Sequence, residues 1–452
     1  MVNEDKIEKE KNDALKISIR QGETSTAANG FGDSFIIPFA QLIGSNALHV
    51  GIISAFSGLL SPISQNFGNK LMEKHSRKSI VRKFDFFHAL IWIPIAIIAV
   101  LYWQNILTDY LPWILIFFYS LIAICHGLAY PAWFSWMGDI VPEKERGKYF
   151  GKRNVYLGIV GIVASIIGSF IVERFEFVGF AWLGFIVLFT LAVIFKLSSF
   201  KIMKKQYEPR FRLKKGDEFS FFAFVKRYDN VGKFAVYQLF FNLAIMIASP
   251  FFGFYLLTEL GLSDNLILFM VITLSSTAFS LMFIPLAGKI SDRYGNLKLM
   301  YLANFLFALN PLIWLFSTNI IYLIILPGLI AGAANAALNL AVTNFNYDAA
   351  SQRHRGTCIA YTNILSGIGV FIGALIGGYL IKNVSVGMDS FFFVFILAAV
   401  ARLFVALFFM PQLKEVKRVK NIHVHPIRTI HQEINGFGSF FHHPILKKAT
   451  MR

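Results

Sequence analysis

The chain is a succession of apolar runs, each long enough to cross a lipid bilayer, separated by shorter segments that hold most of its charges. Two examples are FFHALIWIPIAIIAVLYW at 86–103 and VGFAWLGFIVLFTLAVIF at 178–195. The hydrocarbon core of a bilayer is about 30 Å thick, which roughly 20 helical residues span. Backbone polar groups have no water partner in hydrocarbon, so such runs must be helices. The pattern therefore predicts an all-α membrane protein.

Twelve spans are predicted from these runs, which places both chain termini on the same side of the membrane. They lie at 28–46, 48–71, 79–103, 111–138, 153–174, 178–199, 232–258, 265–289, 297–317, 319–345, 359–381 and 389–410.

The charges decide which side that is. The net charge is +17, yet only 15% of the residues are charged, against about 25% in a typical soluble domain. Alternate loops carry the lysines and arginines, at 74–83, 144–153, 293–298 and 353–355, whereas the opposite loops hold only Arg174 and Lys382. Basic loops stay in the cytoplasm, so both termini are predicted to be cytoplasmic, and the protein to sit in the plasma (inner) membrane. This placement also accounts for the basic charge without any nucleic-acid partner.

A polar stretch in the middle divides the chain into two halves that repeat. The predicted domains are an N-terminal segment (1–27), a six-helix bundle (28–199), a linker (200–231), a second six-helix bundle (232–411) and a basic tail (412–452). A shift of 209 residues superimposes four polar or glycine positions in one spacing: Asp139 on Asp348, Arg146 on Arg355, Gly147 on Gly356 and Asn154 on Asn363. We therefore expect two pseudo-symmetric bundles around a central cavity.

The sharpest motif is GKISDRYGNLK at 288–298, after the eighth span. Its members are Gly288, which permits close helix contact, the charged pair Asp292 and Arg293, the turn residue Gly295, and the basic Lys298. A charge pair at a helix end is suited to a latch that breaks when the halves move; the alternative is an ordinary basic loop.

A weaker copy in the first half has the residues Gly68, Glu73, Lys74 and Arg77. The repeated loops that begin at Asp139 and Asp348 either join helices or take part in the same movement.

These motifs resemble the cytoplasmic-loop signature of the major facilitator superfamily, and the resemblance extends over nearly the whole chain, with 21–55 similar to uncharacterised prokaryotic members. It implies twelve helices and a transporter that works by rocking of its two bundles. Two features depart from the family pattern. Ala123 stands where many proton-coupled members have an arginine, and the fifth span lacks the proline of drug/proton antiporters.

Polar residues inside the spans are costly and often functional. His126 is near the middle of the fourth span, where it either binds a proton or solute or bridges helices as a neutral side chain. Asp33, in the first span, either binds a cation or solute or faces the cytoplasmic vestibule. Lys196 and Arg402 are expected to extend to the cytoplasmic interface, and Asp85 and His88 to lie there. The expected cavity lining consists of amides that suit a neutral or amphiphilic solute, namely Gln41, Gln238, Asn242, Asn335, Asn339 and Asn363.

The sequence thus predicts a secondary active transporter of a small solute, with a proton or cation as the candidate coupling ion, acting as a monomer without catalytic residues, cofactor or metal. Two alternatives stay open: a non-transporting receptor on the same fold, and a membrane enzyme acting on lipids. Five histidines in the tail are attributed to a solvated segment. Substrate, direction and coupling ion are not specified by these patterns.

Overall fold

The computed structural model describes residues 2–142, 146–209, 220–349, 354–384 and 387–416, with the side chains of 2–9, 146–148 and 355 left aside. The middle of the predicted linker and the tail from residue 417, with its histidines, lie outside this part. The described residues form helices and no strand. The helices are α1 (Val2–Phe31), α2 (Ile36–Leu42), α3 (Ala47–Leu71), α4 (Arg77–Trp103), α5 (Leu111–Ile140), α6 (Arg146–Phe177), α7 (Ala181–Met203), α8 (Phe221–Val225), α9 (Asn230–Met246), α10 (Ser249–Thr258), α11 (Leu266–Tyr294), α12 (Asn296–Ile313), α13 (Ile320–Ala349), α14 (Arg355–Asn383) and α15 (Ser390–Phe408).

Ten stretches of the described chain are long and apolar enough to cross a membrane. The two remaining predicted spans correspond to α1–α2 and to α12, so the count of twelve stays a prediction. Helix α1 begins well before the predicted start at residue 28, and Ala14, Ser18 and Gln21 are buried against the bundle. Sequence hydropathy does not reveal this extension because its inward face carries small and polar residues instead of leucines.

The two halves repeat the same helix packing. In the N-terminal half (α1–α7) the contacting pairs are α1–α6, α1–α7, α3–α5, α4–α5, α4–α7 and α6–α7. The C-terminal half (α9–α15) has the counterpart pairs α9–α14, α9–α15, α11–α13, α12–α13, α12–α15 and α14–α15. Contacts between the halves run mainly through α3–α14 and α6–α11. This arrangement accounts for the 209-residue repeat in the sequence.

Each half begins with a broken helix. In the N-terminal half the break follows α1 at Gly32, where an added Cβ atom would lie 2.5 Å from the ring of Trp92. In the C-terminal half the break separates α9 from α10 at residues 247–248, just before Pro250, which lacks an N–H to continue the helix. Broken helices leave backbone groups free for a ligand or a side chain in the middle of a bundle.

In the described chain, one large apolar cluster is shared by both halves. It contains, among others, Ile43, Leu111, Phe254 and Phe391, and we call the end at which it lies the far end. At the opposite end, which we call the termini end, the N-terminal half has its own cluster around Trp136 and the C-terminal half has separate clusters. Among the described residues, the halves therefore share one apolar core at the far end and have separate apolar cores at the termini end.

The seam between α3 and α14 is unusually close. A Cβ atom added to Gly58 would lie 2.1 Å from a side-chain atom of Val370, and one added to Gly378 would lie 2.9 Å from the carbonyl oxygen of Ala47. Glycine at these positions lets the two helix backbones approach each other across the boundary between the halves.

Candidate functional site

A cavity of about 610 Å³ opens inside the C-terminal half, next to the break between α9 and α10. We call it the arginine cavity, because Arg402 lines it. Four of the predicted amides, Gln238, Asn242, Asn335 and Asn339, line it too. Its volume is in the range of small-molecule sites, which is roughly 300–1,000 Å³. The amides come from α9 and α13, where a spacing of four residues places each pair on one helix face.

Arg402 does not extend to the interface as the sequence suggested. Its side chain is buried, with 1% of the residue exposed. The guanidinium donates to the carbonyl oxygens of Phe307 at 2.9 Å and Ile245 at 2.8 Å, with longer contacts to the carbonyl of Ala244 and the hydroxyl of Ser249. The carbonyls of 244 and 245 are among the last four of α9, which a helix leaves without regular partners and which attract positive charge. Arg402 therefore holds the broken helix together while it faces the cavity.

A second cavity, of about 620 Å³, lies on the side of the N-terminal half, and we call it the aspartate cavity. Asp33 lines it at the break after α1, with Tyr119 as a hydrogen-bonding partner. With its amide oriented to satisfy both partners, Asn29 donates to Asp33 Oδ2 at 3.3 Å and to the carbonyl of Ser25. The hydroxyls of Ser54, Ser57 and Ser61 complete a polar wall.

The two cavities meet. Met246 and Ser249 line both of them, while Asp33 lines the aspartate cavity and Arg402 the arginine cavity. Asn29, Tyr119, Ser249 and Arg402 were not singled out as cavity residues from the sequence. Their positions in the sequence could have indicated Arg402 and Ser249. Arg402 is an arginine inside the last predicted span, and Ser249 precedes a proline inside the seventh predicted span.

His126 is exposed to cavity space and not enclosed between helices. It lines the aspartate cavity and also a neighbouring space beside Lys196. Its side chain makes no hydrogen bond to any described residue, and its ring lies 6.0 Å from that of Tyr130. This geometry disagrees with a helix-bridging histidine and suits a group that meets solute or water.

Lys196 and Asp85 form a buried ion pair instead of reaching the interface. Their charged groups are 3.0 Å apart, and their side chains are 6% and 11% exposed. Lys196 also donates to Ser25 at 2.9 Å, which ties α7 to α1. His88, likewise expected at the interface, is buried with its Nε2 atom unpaired at the wall of the aspartate cavity. Sequence distance from a span end did not show that these side chains point inward.

At the termini end of the N-terminal half, Arg77 is a buried junction residue. Its guanidinium donates to the carboxylate of Asp139 at 2.6 Å and to the carbonyl of Ser135 at 3.1 Å. The backbone N–H of Lys78 next to it donates to Glu208 at 3.2 Å. The start of α4, the end of α5 and the segment after α7 are thus held at one point, which we call the N-junction.

The C-terminal half has the same junction with different side chains, which we call the C-junction. Asn296 takes the place of Arg77, and its amide donates to the carboxylate of Asp348 at 3.1 Å. The backbone N–H of Leu297 donates to Glu415 at 2.7 Å. Asn296 also accepts from Ser291 at 2.6 Å. Asp139 and Asp348, predicted as a loop repeat, therefore serve as the acceptors of the two junctions.

The other predicted latch residues surround these junctions. Gly295 has φ +92°, a conformation that favours glycine, and it ends α11 just before Asn296. Gly68 packs tightly, since an added Cβ atom would lie 2.6 Å from the carbonyl oxygen of Leu128. The expected close contact at Gly288 is not made in this conformation, because no described atom lies within 4 Å of an added Cβ. On the surface are Glu73, Lys74, Asp292 and Lys298, with Arg293 partly exposed above the ring of Tyr294.

Six predicted positions stand apart from the central space or outside the described side chains. Gln41 lines a separate cavity of about 280 Å³ near the far end, because α2 turns it away from the centre. Asn363 donates to Gln65 at 3.3 Å and so connects α14 to α3 at the termini end, beside the exposed Gly356. Arg146, Gly147 and Arg355 lie on helices, but their side chains fall outside the described part.

No group of three or more histidine, cysteine, aspartate or glutamate side chains in the described chain is placed to hold a metal ion. The polar groups that face the central cavities are amides, hydroxyls, one carboxylate, one guanidinium and imidazole. Such a set is chemically suited to binding a solute through hydrogen bonds and charge.

Comparison with known proteins agrees with this geometry. The profile of the Major Facilitator Superfamily matches residues 24–228 and 234–451. The chain is 31% identical over 159 residues to vacuolar basic amino acid transporter 1 of Saccharomyces cerevisiae, covering 33% of this chain and 26% of that protein. It is 34% identical over 109 residues to the uncharacterized transporter C460.03 of Schizosaccharomyces pombe, covering 24% and 19%. The matched stretches thus span about a quarter or less of these relatives. Both are fungal, and the narrower resemblance to prokaryotic members is not confirmed.

Solved structures share the fold at low sequence identity. A mutant of the nucleoside transporter NupG has a TM-score of 0.69 at 13% identity, covering 88% of this chain and 100% of that one. A bacterial homologue of the iron transporter ferroportin in its inward-facing state has a TM-score of 0.63 at 13% identity, covering 88% and 98%. The profile match over nearly the whole chain and the two repeated helix bundles show that this protein belongs to the Major Facilitator Superfamily of membrane transporters.

Proposed function

We propose that the protein is a secondary active transporter that carries a small solute through the central cavities by alternating access. One observation carries the proposal: a shared apolar cluster closes the far end, whereas at the termini end each half has its own core. Between these ends lie polar cavities lined by both halves. Rocking about the α3–α14 seam would close the termini end and open the far end, so that the site faces each side in turn.

The orientation is part of the proposal. The basic loops favour cytoplasmic termini in a plasma membrane, which makes the described conformation inward-facing. Single cysteines at the exposed positions Asn105 and Asn319 should react with an impermeant reagent from outside the cell, and those at Ser76 and Lys298 only after the membrane is opened. Labelling of position 298 in intact cells would reverse the orientation.

Alternating access is tested with two pairs of spin labels on the monomer that we propose. One pair, at Lys74 and Lys298, reports the separation of the halves at the termini end, and the other, at Asn105 and Asn319, reports it at the far end. We expect two populations in which one distance shortens as the other lengthens. Distances that do not change between acidic and neutral pH, or on addition of solutes, would contradict the rocking movement. Solute flux in proteoliposomes then separates a transporter from a receptor that binds without translocation.

The junctions are proposed to set the balance between the two states. The loop residues around Gly295 and Arg77 join three segments of each half, so a change there alters how each half moves as a body.

Asp292→Asn removes the charge at the end of α11 with little change of shape. We expect slower flux at normal expression, with Glu73→Gln as the matched change in the other half. Normal flux in both Asp292→Asn and Arg293→Ala would exclude a role for this charge pair.

Coupling to a proton through His126 completes the proposal. Histidine is the side chain that changes charge nearest to physiological pH, and His126 faces water-accessible cavity space on two sides. His126→Gln retains a polar side chain but does not titrate. The variant should exchange solute across the membrane yet fail to accumulate it under a pH gradient. Accumulation with the wild-type pH dependence would make the histidine a structural residue.

A further inference from the structure

The buried charge of the C-terminal half has no carboxylate partner. Arg402 is bound by carbonyl and hydroxyl oxygens, and no described carboxylate lies within 4 Å of its guanidinium. The described acidic residues of this half lie near the ends of its helices: Asp229, Glu259, Asp264, Asp292, Asp348, Asp389 and Glu415. The end of α9 supplies only about half a negative charge. A positive charge therefore faces the arginine cavity without full compensation.

The aspartate cavity has an acidic group at its wall instead. The buried cation nearest to it in the N-terminal half, Lys196, is already paired with Asp85 at 3.0 Å. Lys196 also exerts an attractive field on Asp33, but one lysine does not neutralise two carboxylates. The direct partners of Asp33 are the neutral groups of Asn29 and Tyr119, and the histidines His88 and His126 line the same cavity. A negative charge thus faces the aspartate cavity.

The two charges border adjoining cavities. Ser249 lines both cavities, and its hydroxyl lies 3.3 Å from the guanidinium of Arg402. A solute seated beside Ser249 would therefore have the guanidinium on one side and the carboxylate of Asp33 on the other. Taking an isolated charge out of water is costly, and a solute with a complementary charge at each place offsets both costs.

On the basis of the proposed transport function, we propose that the solute is a small zwitterion, an amino acid or a related amino-carboxylate. Its carboxylate would bind Arg402 in the C-terminal half and its ammonium group Asp33 in the N-terminal half. Four of the five N–H groups of Arg402 are bonded to carbonyl and hydroxyl oxygens, so the guanidinium would attract the carboxylate through its charge and its remaining N–H. The surrounding amides and hydroxyls would bind the other polar atoms. Since each charge contacts a different half, binding also links the halves across the cavity.

The test measures binding to the purified full chain by thermal shift and by displacement of a radiolabelled ligand. The probes are the twenty protein amino acids, γ-aminobutyrate and glycine betaine, with glucose and uridine as neutral solutes. For the tightest zwitterion, two analogues are compared: the amine that lacks the carboxylate, and the N-acetyl acid that lacks the positive charge. We expect each analogue to bind at least about tenfold more weakly, the loss that follows from one charge-assisted contact.

Two variants test which residue recognises which charged group of the solute. Arg402→Gln should bind the zwitterion and the amine analogue with equal affinity, because the group that recognises the carboxylate is gone. Asp33→Asn should in turn no longer distinguish the zwitterion from its N-acetyl form. Lys382→Gln, an equal loss of charge at an exposed position, is the matched control and should leave both preferences unchanged. If Arg402→Gln does not fold, Arg402→Lys retains the positive charge and should retain the preference for a carboxylate.

The outcomes separate this inference from the proposed function. Binding of none of the zwitterions, tighter binding of glucose or uridine, or an unchanged carboxylate preference in Arg402→Gln would each overturn the inference. Flux of a neutral solute in proteoliposomes would leave the proposal of transport intact and would contradict the inference that the solute is a zwitterion. Binding of a zwitterion without any flux would support the site and reject transport.

Discussion

The N-junction and the C-junction occupy the same place in two halves that share one helix arrangement. Each joins the start of one helix to an aspartate at the end of the next, and to a glutamate beyond the last helix of its half. The N-junction uses the buried guanidinium of Arg77, whereas the C-junction uses the amide of Asn296 and its link to Ser291. The fold requires a hydrogen-bonded bridge at this point, and either a charged or a neutral donor supplies it.

The two halves differ again at their buried cations. Lys196 and Arg402 both lie on the last helix of their half and contact the first. Lys196 is neutralised by Asp85 and stands beside the cavity, while Arg402 binds backbone carbonyls and lines the cavity. Corresponding positions thus hold helices together in both halves, and in the C-terminal half the cation also faces the cavity that we propose for the solute.

The largest expected loss of stability comes from breaking the buried ion pair between Lys196 and Asp85. Asp85→Asn leaves the ammonium of Lys196 in the bundle without a carboxylate, which costs about 3–5 kcal/mol. Arg402→Gln removes a cation that has no such partner and should cost less, roughly 1–3 kcal/mol for its lost hydrogen bonds. The measurement is the unfolding free energy in mixed detergent micelles. The double variant Asp85→Asn, Lys196→Met should recover much of the loss. An Asp85→Asn protein as stable as Arg402→Gln would remove the distinction between the two cations.

An intermediate effect should distinguish the junctions. Asp139→Asn removes the acceptor of a charge-assisted bond to Arg77 and should cost about 1.5–3 kcal/mol, whereas Asp348→Asn changes a bond to a neutral amide and should cost about 0.5–1.5 kcal/mol. Because the Asp139 side chain is 47% exposed, its effect should also shrink at high salt. Thermal unfolding of both variants at low and high salt is the measurement. Equal losses with equal salt dependence would show that the two junctions are electrostatically alike.

The smallest effect is expected at Gly288, one of two glycines near the junctions that we compare. Gly68→Ala places a methyl group against the backbone of α5 and should cost about 1–3 kcal/mol. Gly288→Ala adds its methyl group to open space and should stabilise α11 by about 0.5–1 kcal/mol. Melting temperatures that shift in opposite directions would support this difference. A destabilising Gly288→Ala would indicate that this surface is packed in the purified protein, as it would be after the halves close.

The fold could be predicted from sequence where one physical signal dominates. Long apolar runs specify helices in a bilayer, and the shift of 209 residues identified Asp139 and Asp348 as equivalents before their junctions were known. The start of α1 was missed because Ser18 and Gln21 face the bundle, which hydropathy interprets as a solvated segment.

The candidate site was less accessible to such reasoning. The amides Gln238, Asn242, Asn335 and Asn339 were found because spans contain few polar residues, and polar side chains there tend to face inward. Arg402 and Lys196 were misplaced because a position near a span end does not specify which helix face a side chain occupies. Gln41 was wrongly assigned to the central cavity, since the break after α1 changes the direction of the chain.

The close seam between α3 and α14 has a kinetic consequence. Interlocked side chains resist sliding, because each must leave its groove before the next contact forms. At Gly378 the backbone of α14 meets that of α3 with little side chain between them, so a small rotation there has few ridges to cross. Bulk added to this seam would obstruct movement in both directions alike. Under the proposed alternating access, the seam would govern the rate at which the halves exchange, while the contacts at the two ends would govern which arrangement is populated.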